Sequence, residues 1–169
     1  MRLNVYLGFK MDNQELRDLY QELIIDHGTQ PRNCVCLQDA NGEAEGFNPL
    51  CGDKVHLYLS IKNEIIEKAT FTGSGCAISI ASASLMTESL PGKSTLQALT
   101  LSHSFKILLT NDKNSEENSE DFALLGKLKA FAGVKTFPAR VKCATLAWHT
   151  LQAAIQNEVK TVSTEIIHE

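Results

Sequence analysis

The sequence predicts an α+β domain, a small antiparallel β-sheet of about three strands packed against several α-helices. Three observations lead there. "KVHLYLSI" alternates strictly with period two and is followed, after a short turn, by a second strand-like stretch. Other stretches carry the apolar spacing of helices. The order is a helix, then strands, then several helices, which excludes a regular strand–helix alternation. The 169 residues are 43% hydrophobic, enough for one domain with its own core and no disulfide staples.

The first helix is signalled by "MDNQELRDLYQELIIDHG". Asp12 and Glu15 have capping-box spacing, Leu16, Leu19, Tyr20, Leu23 and Ile24 form one stripe for burial, and Gly28 suits the helix end. Residues 1–10 precede it as an extension. The polar, turn-rich region that follows offers one short strand at Cys36–Leu37. In "KVHLYLSI", Val55, Leu57, Leu59 and Ile61 lie on one face; "KNE" is a tight turn and "IIEKATFTG" returns, making an antiparallel hairpin. After the Gly-Ser-Gly turn a helix rich in small residues opens at or near Cys76. "PGKS" closes it, and Ser94 caps the next, "TLQALTLSHSFKILL". The stretch "TNDKNSEENSED" has nothing to bury and reads as an exposed loop. A short helix "FALLGKLKAFAG" ends at Gly133, and Pro138 opens the last strong helix, "PARVKCATLAWHTLQAAIQNEV". The domain is expected over 11–157, with 158–169 as a tail that frays.

Twenty acidic against 16 basic residues give net −4 with no basic run, which argues against nucleic acid as a partner. No apolar run approaches the roughly 18 residues of a membrane span, and "LNVYLGF" lacks the features of a secretory signal. A cytoplasmic location is expected. The five cysteines there are expected to be thiols, available for metals or catalysis or simply buried.

"NPLCGD" holds Cys51 and Asp53 one glycine apart before the alternating strand. Two more cysteines occupy related positions: Cys76 at a strand-to-helix junction and Cys143 in the first turns of the helix that starts near Pro138. Proximity to a positive helix end is expected to lower their thiol pKa values. Three thiolates and a carboxylate make a tetrahedral set suited to zinc. With Zn²⁺ they leave two net negative charges, for which Arg140 and Lys142 are the neighbouring cations. The wide separation of these cysteines is not that of a zinc finger, so spacing alone leaves open both a metal site and buried free cysteines.

"NPLCGD", "FTGSGCAISIASASLMTESLPGK" and "FPARVKCATLAWHTL", preceded by "LYQELIIDHGTQPRN", resemble the SufU branch of the U-type iron-sulfur cluster assembly proteins, from about Leu16 to Ala154. The resemblance implies a SufE/NifU-like fold with a zinc site at one end, its ligands being Cys51, Asp53, Cys76 and Cys143. In the IscU-type scaffolds a histidine precedes the last cysteine and the segment before it is short. Here Lys142 stands there and "NDKNSEENSEDFALLGKLKAFAGVK" lengthens the segment, both as in SufU. The implied role is to accept persulfide sulfur from a SufS-like cysteine desulfurase and serve downstream iron-sulfur assembly proteins. Cys51 would be the acceptor, released from zinc when a desulfurase histidine replaces it, with Asp53 staying bound. Arg140 and Lys142 are expected beside the centre or in partner docking.

Cys34 and Cys36, in "NCVC", match no motif position and read as incidental. His27, His56, His103, His149 and His168 fall at no ligand position and read as surface or core residues. "PGKST" lacks the first glycine and preceding strand of a P-loop and is a turn. The first rival function is a scaffold that assembles a transient iron-sulfur cluster on the same ligands; the second is a zinc site that only supports folding, against which the aspartate speaks.

Overall fold

The computed structural model describes residues 12–110, 119–157 and 162–164. The extension at 1–10, most of the acidic stretch, and His168 lie outside them. The described chain forms helix α1 (Asn13–Thr29), strands β1 (Gly42–Asn48), β2 (Asp53–Lys62) and β3 (Ile65–Ser74), helices α2 (Ala77–Ser89), α3 (Thr95–Leu109) and α4 (Ser119–Ala123), a 3-10 segment Gly126–Thr136, helix α5 (Pro138–Gln156) and strand β4 (Val162–Ser163). This is the expected α+β architecture. The sheet, however, has four strands in the order β3-β2-β1-β4, and β4 joins β1 in parallel.

The hairpin is as the alternation predicts. Val55, Leu57 and Leu59 are buried, and β2 pairs antiparallel with β3. Asn63 and Glu64 both take positive φ in the two-residue turn, the backbone that matches hairpin twist. The expected strand at Cys36–Leu37 does not form. β1 lies instead at "GEAEGFN", where Gly42, Ala44, Gly46 and Asn48 are buried and Glu43 and Glu45 face out. It escapes a propensity reading because its inner face must be nearly bare: α5 lies directly on it. A Cβ at Gly46 would collide with Thr150 Oγ1, and one at Gly42 would sit 3.0 Å from the Ala154 carbonyl.

The capping box of α1 is present: Asp12 Oδ1 accepts from the Glu15 N–H at 2.8 Å and Glu15 Oε2 from the Asp12 N–H at 3.0 Å. Its apolar stripe is corrected in the first half, where Leu16 and Leu19 are exposed. Only the second half packs on α2. There Leu23 and Ile24 are partly buried, His27 is buried against Ser84, and Gly28 lies inside the helix, where a Cβ would be 3.0 Å from Ala77. Gly28 therefore permits close approach rather than ending α1, which runs to Thr29. Ser94 and Gln97 form a second capping box at α3, and Pro138 is in the first turn of α5. The helix expected at "FALLGKLKAFAG" resolves into short α4 and the 3-10 segment.

Helices α2 and α5 cover the inner face of the sheet, and α3 packs behind them on α5 and the 3-10 segment. Trp148 stacks on Phe105 at 4.7 Å and Phe105 meets Phe131 edge-on, with Leu57, Phe71 and Met86 fully buried around them. Full burial of side chains of this size contributes about 2–3 kcal/mol each relative to exposure. No described helix is long and apolar enough to cross a membrane.

Acid is expected to weaken this packing through His149. Burial, with Lys106 nearby, lowers its pKa from 6.5 to about 4. Above pH 6.5 the imidazole is neutral in both states and its contribution is intact. As pH falls toward 4 the unfolded chain takes up a proton that the folded chain refuses, so stability is lost. His27, lowered mainly by burial, acts in the same sense. Urea unfolding at pH 7 and pH 5 should show His149→Gln losing about 2 kcal/mol less than wild type over that interval; equal losses would remove His149 from the account.

Candidate metal centre

The end of the sheet where β1 turns into β2 is built by "NPLCGD". Asn48 starts the turn: its side-chain oxygen accepts the Leu50 N–H at 3.2 Å and its backbone carbonyl accepts the Gly52 N–H at 2.8 Å. Gly52 has φ +71, a left-handed conformation that glycine takes without strain. The result is an exposed Cys51 and, one glycine further on, a buried Asp53, the first residue of β2.

Cys143 meets them from α5, fully buried. One ligand atom each from Cys51, Asp53 and Cys143 lies within 4.8 Å of the other two. The Cys143 thiol points at Cys51 sulfur at 3.5 Å, with the Ala139 carbonyl equally near. Cys76, the N-cap of α2, is held differently: its backbone N–H donates to Asp53 Oδ1 at 3.0 Å. Its sulfur lies outside the compact three-residue cluster but shares Arg140 with Cys143. The spacing that argued for no particular zinc motif thus brings residues of four separate elements to one end of the fold.

Two features of this pocket call for a cation. Asp53 is 1% exposed, and its Oδ2 has no hydrogen-bond partner among the described residues. A buried, unpaired carboxylate oxygen costs several kcal/mol. The room it occupies is reserved for it, since a Cβ on Gly75 would stand 2.5 Å from Asp53 Oδ1. The second feature is the Cys143 thiol, pushed far up by burial first and then by Asp53 and Cys51. This corrects the expectation of a thiol pKa lowered by the helix end: Cys143 sits more than a turn inside α5, and burial beside two acidic groups wins. A divalent cation reverses both penalties, and two sulfurs with one oxygen suit zinc in softness and charge.

Arg140, one turn before Cys143 and exposed, is within hydrogen-bonding reach of Cys143 and Cys76, which raises its already high pKa. Lys142, partly buried, precedes Cys143 on α5. Cys34 and Cys36 are exposed, and Cys36 meets Tyr58 on the outer face of the sheet. His56 stacks on Tyr58 there between Glu43 and Glu45; His27 is in the core and His103 is exposed.

The site also contains a residue that the sequence presents only as a turn former. Asn48 is fully buried and its side-chain N–H donates to Cys143 sulfur at 3.7 Å. A signal for it existed: asparagine on the inward face of a strand, directly before the ligand loop, is a polar group that must find partners in the interior.

Residues 19–144 match the model of the NifU-like N terminal domain. The chain is 40% identical over 146 residues to the zinc-dependent sulfurtransferase SufU of Bacillus subtilis, covering 86% of this chain and 95% of that protein. It is 35% identical over 148 residues to the iron-sulfur cluster assembly scaffold protein IscU of Streptococcus pyogenes, covering 84% and 86%. Among solved structures, a candidate scaffold protein for the SUF system from Fervidobacterium islandicum superposes with a TM-score of 0.72 at 34% identity, over 82% of this chain and 98% of that one.

Proposed function

We propose a function for the chain as what it is, a member of the NifU-like N-terminal domain family: it is an iron-sulfur cluster assembly protein that accepts persulfide sulfur from a cysteine desulfurase at Cys51. The observation that supports this most is the contrast within one cluster. Cys51 is exposed on a turn, whereas Asp53 and Cys143, within 4.8 Å of it, are buried. A partner can reach the first without disturbing the other two.

Cys51, Asp53, Cys76 and Cys143 are the proposed ligands, with Cys76 the one whose sulfur stands furthest from the cluster. Zinc, when bound, holds these thiols as thiolates and balances the buried carboxylate. Arg140 offsets part of the remaining negative charge from the solvent side. It and Lys142 are proposed to border the docking surface for a SufS-like desulfurase.

The transfer itself is thiol exchange. Cys51 thiolate attacks the outer sulfur of the donor persulfide; a new sulfur–sulfur bond forms on Cys51 as the donor's breaks, and the donor cysteine leaves as thiolate. The donor's sulfur reappears as the Cys51 persulfide, so the step needs no oxidant or reductant. Asp53 and Cys143 stay where β2 and α5 hold them.

The scaffold reading has its own support, since the similar IscU proteins are named as scaffolds. One experiment separates the two. Elemental analysis should give about one zinc per chain in purified protein, and adding that protein should raise desulfurase turnover strongly. Bound iron, or anaerobic assembly of a cluster that passes to an apo-acceptor with no effect on turnover, would replace the sulfurtransferase with the scaffold.

A further inference from the structure

The C-terminal segment reaches the metal centre. β4 lies along β1 with Val162 opposite Gly46 and Ser163 opposite Phe47. Thr164 then donates its N–H to the Phe47 carbonyl at 3.3 Å and its hydroxyl to Asn48 Oδ1 at 3.2 Å. Thr164 is 7% exposed.

The Leu50 N–H, which can only donate, determines how the Asn48 amide is oriented, and the Thr164 hydroxyl adds a second bond to the same oxygen, Oδ1. An amide nitrogen cannot accept the Leu50 N–H, so the other end, toward Cys143, is the NH₂ group. A hydrogen bond from N–H to sulfur strengthens as the sulfur becomes anionic. It also withdraws charge from that sulfur and fixes its position. Cys51 is exposed and nothing comparable holds it among the described residues except the Cys143 thiol itself.

We propose that Asn48 is a positioning residue that keeps Cys143 a held, poorly nucleophilic ligand, and that Thr164, carried by the C-terminal strand, is the latch that keeps Asn48 in place. The division of labour between the two thiols then comes from hydrogen bonding as well as exposure: Cys143 is retained and Cys51 is the one free to take sulfur. The proposal rests on the reading of Cys51 as acceptor, and it adds that the chain beyond α5 controls the centre.

The test uses the full chain with Thr164→Val, which removes the hydroxyl at nearly constant shape, and Thr164→Ser, which restores it. The readouts are the rate of alkylation of each cysteine in Co²⁺-loaded protein, where the ligand sulfurs are already thiolates, followed by peptide mass mapping, and the sulfur-to-metal charge-transfer band with Co²⁺ alone. Thr164→Val should raise alkylation of Cys143 several-fold with Cys51 unchanged and shift the Co²⁺ band, while Thr164→Ser behaves as wild type. Asn48→Ser should exceed the effect of Thr164→Val; if it fails to fold, the Thr164 pair alone decides. Unchanged alkylation of Cys143, or an equal rise at every cysteine, would overturn the latch. Wild type that binds neither Co²⁺ nor zinc would defeat the metal reading and overturn the latch with it, an outcome distinct from unchanged alkylation in protein that does bind the metal.

Discussion

Cys51→Ser is expected to return the turnover of a stimulated cysteine desulfurase to the rate of the desulfurase alone, with the variant still folded. The side chain is exposed on the β1–β2 turn and contributes nothing to the core, so circular dichroism and the unfolding midpoint of the metal-free protein should match wild type. Oxygen in place of sulfur removes the nucleophile, since a serine hydroxyl does not ionise near neutral pH and cannot form the persulfide. Stimulation that survives in Cys51→Ser would move the acceptor to another thiol.

Asp53→Ala makes the second large prediction, on metal rather than turnover. Loss of this ligand should lower zinc affinity by at least ten- to a hundredfold, the range seen when even the groups supporting a ligand are removed. Zinc content after purification should fall well below one per chain. The metal-free protein should respond in the opposite sense. Asp53→Ala removes the hydrogen bond to the Cys76 N–H, worth about 1.5–3 kcal/mol for a charged acceptor, but also a buried carboxylate whose Oδ2 has no partner among the described residues. That unpaired oxygen costs more than the bond contributes. Metal-free Asp53→Ala is therefore expected to melt at or above the temperature of metal-free wild type, while zinc should raise the melting temperature of wild type and hardly that of the variant. A metal-free variant that is clearly less stable would mean that Asp53 is a structural hydrogen-bonding residue first.

These predictions depend on residues that were legible to different degrees. The hairpin, the capping box of α1, the Ser94 cap and the opening of α2 at Cys76 follow from local chemistry, because alternation, cap residues and turn residues act over a few positions. The proposed metal ligands were legible as residue types in motifs; only the fold shows that "NPLCGD" and "VKCATL" meet. β1 was not legible because its buried face is Gly42, Ala44, Gly46 and Asn48. Those residues have low strand propensity and are there for the closeness of α5, a tertiary constraint. For the same reason the exposure of Leu16 and Leu19 could not be read from their spacing: periodicity shows that a helix has an apolar face, not how far its neighbour extends. Cys143 shows the competition most directly. A helix N-terminus lowers a thiol pKa and burial raises it, and the depth of Cys143 in the fold decides for burial.

Asn48 and Thr164 illustrate a further limit. Each is unremarkable in sequence, one a turn former and the other in a stretch expected to fray. Their bond joins positions far apart in the chain at the back of the centre.

The most direct test of the account is to find where the sulfur goes. The protein would be incubated with a cysteine desulfurase and cysteine, its persulfides trapped by alkylation, and its peptides mapped by mass. The account predicts one added sulfur on the peptide containing Cys51 and none on those containing Cys76 or Cys143. Sulfur on Cys143 or Cys76 but not on Cys51, or on no cysteine while the desulfurase is accelerated, would contradict it.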